Sequence, residues 1–258
     1  MAQKKKVKTT VVSQTIIAEN VYDLLLETDL AMDVRPGQFV GVYPNNASTL
    51  LPRPISICEA DKERKRLRLV YRVLGKGTEE FASYHSGDTL DVIGVLGNGF
   101  PLEKADGKSV FIIGGGIGIP PMLQLTKELK SDKKIVLGYR NENVCLLEEF
   151  SHYGKVYIAT EDGSVGSKGN VMDAIWENGL SADIIMACGP LPMLRAIKQY
   201  AADNNIEAYI SLEERMACGV GACLGCVCKT KEVDHHSHVN NARICTDGPV
   251  FEASEVDI

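Results

Sequence analysis

The chain has 258 residues, 45% of them hydrophobic and 24% charged, enough apolar material for two ordinary domains plus a small appended unit. Its formal net charge of −6 argues against general binding to nucleic acid or to an anionic membrane, and leaves proteins and small molecules as expected partners. Lys4, Lys5 and Lys6 look like the start of an export signal, but no apolar core follows them and no window is long enough to span a membrane, so a cytoplasmic location is expected.

From residue 7 to about 95, short alternating or β-branched runs are separated by turns. The runs cover 8–16, 21–27, 38–43, 66–73 and 88–92, with Pro36-Gly37 and Ser86-Gly87 between them, which suggests a small antiparallel barrel. One helical stretch, 77–84, interrupts the strands. Two details are chemical. Pro52 and Pro54 force an extended presentation of Arg53 and Ser56. Gly75-Lys76-Gly77-Thr78 stands where a strand gives way to a helix, a place suited to anions. Taken singly, the first is also an ordinary rigid turn and the second an ordinary capped loop. Leu96-Gly97-Asn98-Gly99-Phe100-Pro101 closes this part and is suited to a hinge.

After Lys108 the pattern becomes strand, turn, helix. Residues 109–113 lead into Gly114-Gly115-Gly116-Ile117-Gly118-Ile119-Pro120-Pro121, and a helix over 122–129 starts with proline. Strands at 135–139, 156–160 and 184–188, with helices at 146–152, 170–177 and 192–204, predict a parallel α/β sheet. The glycine run is not the G-x-G-x-x-G dinucleotide fingerprint, because Ile119 occupies the third glycine position. Nor does an acidic residue end the second strand, where Gly138-Tyr139-Arg140 stands. Cys188-Gly189-Pro190-Leu191-Pro192-Met193 falls at the carboxyl end of a predicted strand, where open α/β sheets bind ligands. A buried thiol before a helix start is the plainer alternative. Glu161 and Asp162 open a polar loop at the same sheet edge, suited to adenosine-side contacts, and Trp176 is expected in the core.

Near the end, Cys218, Cys223 and Cys226 are spaced C-x4-C-x2-C and Cys245 returns later, the ligand order of a plant-type [2Fe–2S] cluster. Gly219, Gly221 and Gly225 let one short loop wrap a compact object and bring backbone N–H groups towards its sulfurs. A structural zinc site fits less well, since only one C-x2-C pair is present and no second knuckle surrounds Cys245. Cys228 points the same way as Cys226 on an extended segment, but the ferredoxin spacing assigns the ligand to Cys226. His235, His236 and His238 lack the Cys–His pairing of a Rieske centre and read as a solvated loop. The expected division is a β-barrel over 1–100, an α/β domain over 101–210 and a cluster-binding module over 211–258.

The order of barrel, R-P-x-S and G-T before a helix resembles the flavin domain of the ferredoxin reductase superfamily. The resemblance implies FAD, with Arg53 and the helix start at Gly77 and Thr78 holding its pyrophosphate and Ser56 near the flavin ring. Pro54, Ile55, Val70, Tyr71 and Arg72 complete that set. The glycine turn with its proline-started helix, and the C-G-P-x-x-M segment, resemble the nicotinamide half of the same superfamily. Gly114, Gly115, Gly116, Gly118, Cys188, Gly189, Pro190 and Met193 are the implied NAD(H) contacts, with Cys188 beside the nicotinamide. A flavin is the required converter between a two-electron nicotinamide and a one-electron cluster. No further acid–base constellation for an organic substrate is evident, so the other half-reaction is expected on another chain.

Over its whole length the chain resembles the electron-transfer subunits of bacterial type B dihydroorotate dehydrogenases, most specifically at 212–223 and 245–251. That family implies an FMN-containing catalytic partner in a heterotetramer of two subunits of each kind. Electrons pass there from dihydroorotate through FMN, the cluster and FAD to NAD, in de novo pyrimidine biosynthesis. Subunits of bifurcating NADH-dependent ferredoxin:NADP oxidoreductases carry Asp at the position of Cys218, and electron-input subunits of hydrogenase and sulfite reductase keep similar cysteines. A non-enzymatic redox sensor using the same cofactors is the alternative of another class. NAD versus NADP, with Arg140 readable either way, and the direction of flow stay open at this point.

Overall fold

The computed structural model describes residues 4–233 and 239–258; His235, His236 and His238 lie outside the described residues. Six strands, β1 (Lys5–Ala18), β2 (Val21–Glu27), β3 (Phe39–Tyr43), β4 (Arg53–Asp61), β5 (Arg66–Arg72) and β6 (Thr89–Leu96), close into an antiparallel barrel in the order β1-β2-β5-β4-β3-β6. Alternation builds it: Leu24 and Leu26 of β2 and Leu67, Leu69 and Tyr71 of β5 are all buried in one cluster, as a strand with one face inward requires. A short helix, α1 (Lys76–Phe81), follows β5.

The strand over 53–61 is not among those predicted, because Pro52 and Pro54 break its pattern. The barrel accommodates them by pairing. Arg53–Ser56 bond only to β3, with Pro54 opposite Gly41, and pairing with β5 begins at Ile57 opposite Leu69. On the other side, Val70–Arg72 pair with β2 alone. The sheet is therefore split between the first half of β4 and the last residues of β5, and a proline costs no ladder bond on the open side.

The second part comprises β7 (Val110–Gly115), α2 (Pro121–Glu128), β8 (Lys133–Tyr139), α3 (Leu147–Ser151), β9 (Lys155–Thr160), β10 (Ser167–Lys168), α4 (Val171–Glu177), β11 (Ile184–Cys188), α5 (Leu191–Asp203) and β12 (Glu207–Ser211). The last part adds β13 (Val227–Thr230), β14 (Asn241–Arg243), β15 (Val250–Glu252) and β16 (Val256–Asp257). The large sheet has seven strands in the order β10-β9-β8-β7-β11-β12-β15, parallel except for β15, which runs antiparallel to β12. Buried runs such as Val110–Ile113 and Ile184–Cys188 suit strands covered on both faces. α4 is capped by Asn170, whose side chain accepts from Met172 N–H at 2.8 Å while Asp173 accepts from Asn170 N–H at 2.7 Å. Trp176 is not in the core as expected. It is 62% exposed, because Val171, Met172, Ala174 and Ile175 occupy the inward side of α4.

β13, β14 and β16 form a small sheet of their own. It is not a separate lobe: Cys226, Ile244 and Cys245 share one core with Phe39 and Leu96 of the barrel and with Ala187 and Ile210 of the large sheet. Among the described residues, no helix is long and apolar enough to cross a membrane.

Candidate functional site

The split in the barrel is lined by the residues singled out from the sequence. Arg53, Pro54, Ile55 and Ser56 are half-buried along its β4 side, and Val70, Tyr71 and Arg72 form the β5 side. The backbone edges facing the split are unpaired in the ladder, so they are free to bond a planar polar ring. Tyr71 can contribute only its main chain, since its ring is buried, its hydroxyl donates to Gln14 Oε1 at 2.9 Å, and burial raises its pKa.

The turn after β5 brings Gly77 under Arg53. A Cβ at Gly77 would stand 2.6 Å from Arg53 Nε, and Arg53 Nη1 donates to the Leu51 carbonyl at 2.5 Å. Thr78 Oγ1 accepts from the N–H groups of Leu74 and Gly75, at 2.9 and 3.2 Å, which folds the loop onto α1. A guanidinium above a glycine turn is a cradle for a bidentate anion such as a pyrophosphate.

The second patch lies at the carboxyl ends of β7 and β11. Gly114 is in register with Cys188. A Cβ on Gly118 would lie 2.5 Å from the Cys188 carbonyl oxygen, and one on Gly115 would lie 2.5 Å from Met193 Sδ. The glycine turn and the Cys188–Met193 segment thus pack as one unit, with no room for a side chain at Gly115 or Gly118. The Cys188 thiol is pushed up by burial and then by the Glu213 carboxylate, which disfavours the thiolate.

Glu161 and Asp162 stand at the end of β9, two strands from β7. Glu161 is exposed. Asp162 Oδ1 is engaged locally, accepting from Ser164 Oγ at 2.7 Å and Ser164 N–H at 3.0 Å, which holds its carboxyl below the usual range.

Glu213 was not singled out as a site residue. It is exposed in the chain; desolvation of the carboxyl raises it and the Arg72 charge opposes that. Nothing in the local pattern distinguishes it from its neighbour Glu214.

The thiols come together as two pairs. Cys223 lies near enough to Cys218 to lower the Cys218 thiol, and Cys226 near enough to Cys245 to raise the Cys245 thiol. Cys226 and Cys245 are buried, Cys218 is half-buried and Cys223 is exposed. Cys218 Sγ accepts from the N–H groups of Ala222 at 3.3 Å and Val220 at 3.4 Å; although burial opposes it, these bonds bring the thiol down to about 6. Burial, and then the nearby Cys226, lifts Cys245 to about 12. Positive φ at Gly219 and Gly221 produces this curl. Among the described residues, no three ligating side chains converge on a point suited to a single metal ion. The pairing of Cys218 with Cys223 and of Cys226 with Cys245 follows the order in which a plant-type [2Fe–2S] site takes two cysteines per iron. Cys228 lies on β13, half-buried.

Residues 213–257 match the family described as the iron-sulfur cluster binding domain of dihydroorotate dehydrogenase B, and residues 112–199 match the oxidoreductase NAD-binding domain family. The chain is 45% identical over 259 residues to the dihydroorotate dehydrogenase B (NAD(+)) electron transfer subunit of Geobacillus sp. (strain WCH70), covering 98% of each chain. It is 46% identical to the subunit of the same name from Listeria innocua, covering 96% of this chain and 97% of that one. Among solved structures, a chain of an NADH-dependent reduced ferredoxin-NADP oxidoreductase superposes with a TM-score of 0.87 at 28% identity, over 96% of this chain and 89% of that one. A ferredoxin NADP+ reductase from Neisseria gonorrhoeae shares the fold, with a TM-score of 0.66 at 16% identity over 83% of this chain and 95% of that one.

Proposed function

This chain belongs to the family of dihydroorotate dehydrogenase B (NAD+) electron transfer subunits, and from that premise we propose that it carries electrons from an FMN-containing catalytic subunit, which oxidises dihydroorotate, to NAD+. The setting is de novo pyrimidine biosynthesis in the cytoplasm, in a heterotetramer of two subunits of each kind. Residues 1–100, 101–210 and 211–258 are its flavin, nicotinamide and cluster parts.

Arg53, with the turn at Gly77 and Thr78, holds the FAD pyrophosphate. Ser56 and the open edges of 53–56 and 70–72 hydrogen-bond the flavin ring. Gly114, Gly115, Gly116, Gly118, Cys188, Gly189, Pro190 and Met193 form the surface that receives the nicotinamide, and Glu161 and Asp162 face the adenosine ribose. Cys218 with Cys223, and Cys226 with Cys245, ligate the two irons. When bound, FAD exchanges two electrons as hydride with the nicotinamide and single electrons with the cluster; the protein positions, excludes water and tunes.

The observation that carries this reading is the core the three parts share. Cys226, Ile244 and Cys245 pack in one cluster with Phe39 and Leu96 of the barrel and with Ala187 and Ile210 of the large sheet. The cluster segment therefore borders both other parts, as a relay requires.

The test is an anaerobic NADH titration of the purified chain, read by visible absorbance and low-temperature EPR. Flavin bleaching together with the signal of a reduced [2Fe–2S] cluster is expected. Bleaching without an iron signal, in protein carrying zinc at the four cysteines, would leave a flavin reductase with a structural metal and refute the relay.

A further inference from the structure

The segment that follows the last cluster ligand has two attachments. Through β15 it belongs to the nucleotide domain's sheet, with Val250 opposite Ser211 and the Pro249 carbonyl accepting from Leu212 N–H at 2.8 Å. Its other attachment is Asn98, in the middle of the hinge between barrel and nucleotide domain. Asn98 N–H donates to the Gly248 carbonyl at 2.7 Å. Its Nδ2 donates to the carbonyls of Asp247 at 2.8 Å and Val250 at 3.1 Å, and its Oδ1 accepts from Val250 N–H at 3.1 Å. One side chain thus uses both ends of its amide on a segment that begins two residues after Cys245.

The same hinge is bonded to the flavin strand. Gln38 Nε2 donates to the Gly97 carbonyl at 2.7 Å, Gln38 Oε1 accepts from Arg35 N–H at 2.8 Å, and the Gln38 carbonyl accepts from Ile57 N–H at 3.0 Å. Ile57 adjoins Ser56 at the end of the split. A continuous set of hydrogen bonds therefore runs from β4 through Gln38, Gly97 and Asn98 to the turn after Cys245. That turn is itself tight, with the N–H groups of Thr246, Asp247 and Gly248 all donating to the Arg243 carbonyl at 3.1, 2.8 and 3.3 Å.

We propose that Asn98 is the positioning residue that holds the cluster segment to the barrel and so fixes the separation of flavin and cluster. The inference rests on the relay reading above. Asn98 is exposed, so its removal opens no cavity and its role is not core packing. Without its side chain, the tie from the barrel to this segment loses three of its four Asn98 hydrogen bonds and keeps the main-chain one to Gly248, while the pairing with β12 is unchanged. A transfer step that depends on close placement is sensitive to small displacements far from the chemistry.

The experiment uses the full chain loaded with FAD and cluster. NADH is mixed in anaerobically, flavin bleaching and cluster reduction are followed separately, and amide hydrogen exchange is measured at Val250. Each NADH delivers two electrons with its hydride and each cluster takes up one, so excess NADH reduces both groups. In Asn98→Ala, bleaching should stay within about twofold of wild type while cluster reduction slows by about tenfold or more, and the Val250 amide should exchange faster. Asn98→Asp keeps the acceptor for Val250 N–H but loses both Nδ2 donations, and should fall between. Wild-type cluster reduction in iron-replete Asn98→Ala overturns the inference. Should Asn98→Ala shed iron, Asn98→Asp decides by the same criterion. Wild-type protein that bleaches without reducing its cluster refutes the relay itself, and the inference with it.

Discussion

A single missing methyl group decides how Arg53 lies. Gly77 has ordinary backbone geometry, so its need for glycine is not conformational: a Cβ would meet the guanidinium 2.6 Å from Nε. Alanine is the better helix former by up to about 1 kcal/mol, and Gly77 is in α1. Gly77→Ala should therefore keep or slightly raise the melting temperature of the flavin-free protein while weakening FAD retention by about tenfold, the equivalent of 1.4 kcal/mol. Ultrafiltration followed by flavin fluorescence measures it; unchanged retention would show that Arg53 does not serve the pyrophosphate. Glu207 offers a test of pH dependence. Tyr209 Oη donates to it at 2.7 Å, Lys104 and Lys108 bridge to it at 3.2 and 3.3 Å, and together, the tyrosine first, they bring its carboxyl down to about 2. A carboxyl with a depressed folded pKa stabilises above its ordinary pKa and loses that contribution as pH falls towards the folded value. Being partly exposed, the pair network is worth about 1 kcal/mol or less. Glu207→Gln should lower the urea midpoint at pH 6, and the gap from wild type should narrow as pH falls from about 4.5 towards about 2.

At the level of elements, barrel and nucleotide domain are joined by charge as well as by the hinge. Arg68 of β5, its side chain 17% exposed, bridges Asp23 at 2.7 Å, Glu59 at 3.4 Å and Glu149 of α3 at 2.6 Å. Glu59 also pairs with Lys127 of α2, and Gln124 accepts from Ala60 N–H at 3.0 Å. Arg68→Ala leaves three carboxylates facing one another and should cost about 3 kcal/mol of stability by chemical denaturation. Glu149→Ala removes a more exposed partner and should cost about 1 kcal/mol or less; equal losses would mean that the interdomain bond, not the buried charge, dominates. These elements were unequally legible in the sequence. Four strands of the parallel sheet, β7, β8, β9 and β11, are apolar runs bounded by turns and stand where expected, whereas β10 and β12 are not among those predicted. β4 was hidden because its prolines are tolerated only at a split, a tertiary fact with no local signal. β15 was hidden because its three residues gain strand character solely by pairing with β12. The cysteines proposed for the cluster stand out because ligation restricts residue type and spacing at once, and the region around them matches a cluster-binding family, whereas Asn98 bonds a partner more than twenty residues away in sequence.

For the whole molecule, the exposure of the four cysteines sets a direction. Cys226 and Cys245 are 2% and 1% exposed and share a core with Phe39 and Leu96 at the barrel's end, so one side of the cluster site faces the flavin part. Cys223 is exposed, and next to it Leu224 is 56% exposed with φ of 54°, a strained conformation for leucine that turns an apolar side chain outward from the loop. In the proposed relay this is the side open to a catalytic subunit, and an exposed leucine beside Cys223 suits a contact that expels water on docking. Leu224→Asp should therefore separate the two halves of the relay. NADH-driven cluster reduction in the isolated chain should stay within about twofold of wild type, because the Leu224 side chain is largely exposed. Affinity for the catalytic subunit, measured by calorimetry, should fall at least tenfold, since truncating or charging an interface anchor costs about 2 kcal/mol or more. Wild-type affinity in that variant would place the docking surface elsewhere and require electrons to enter through a ligand other than Cys223.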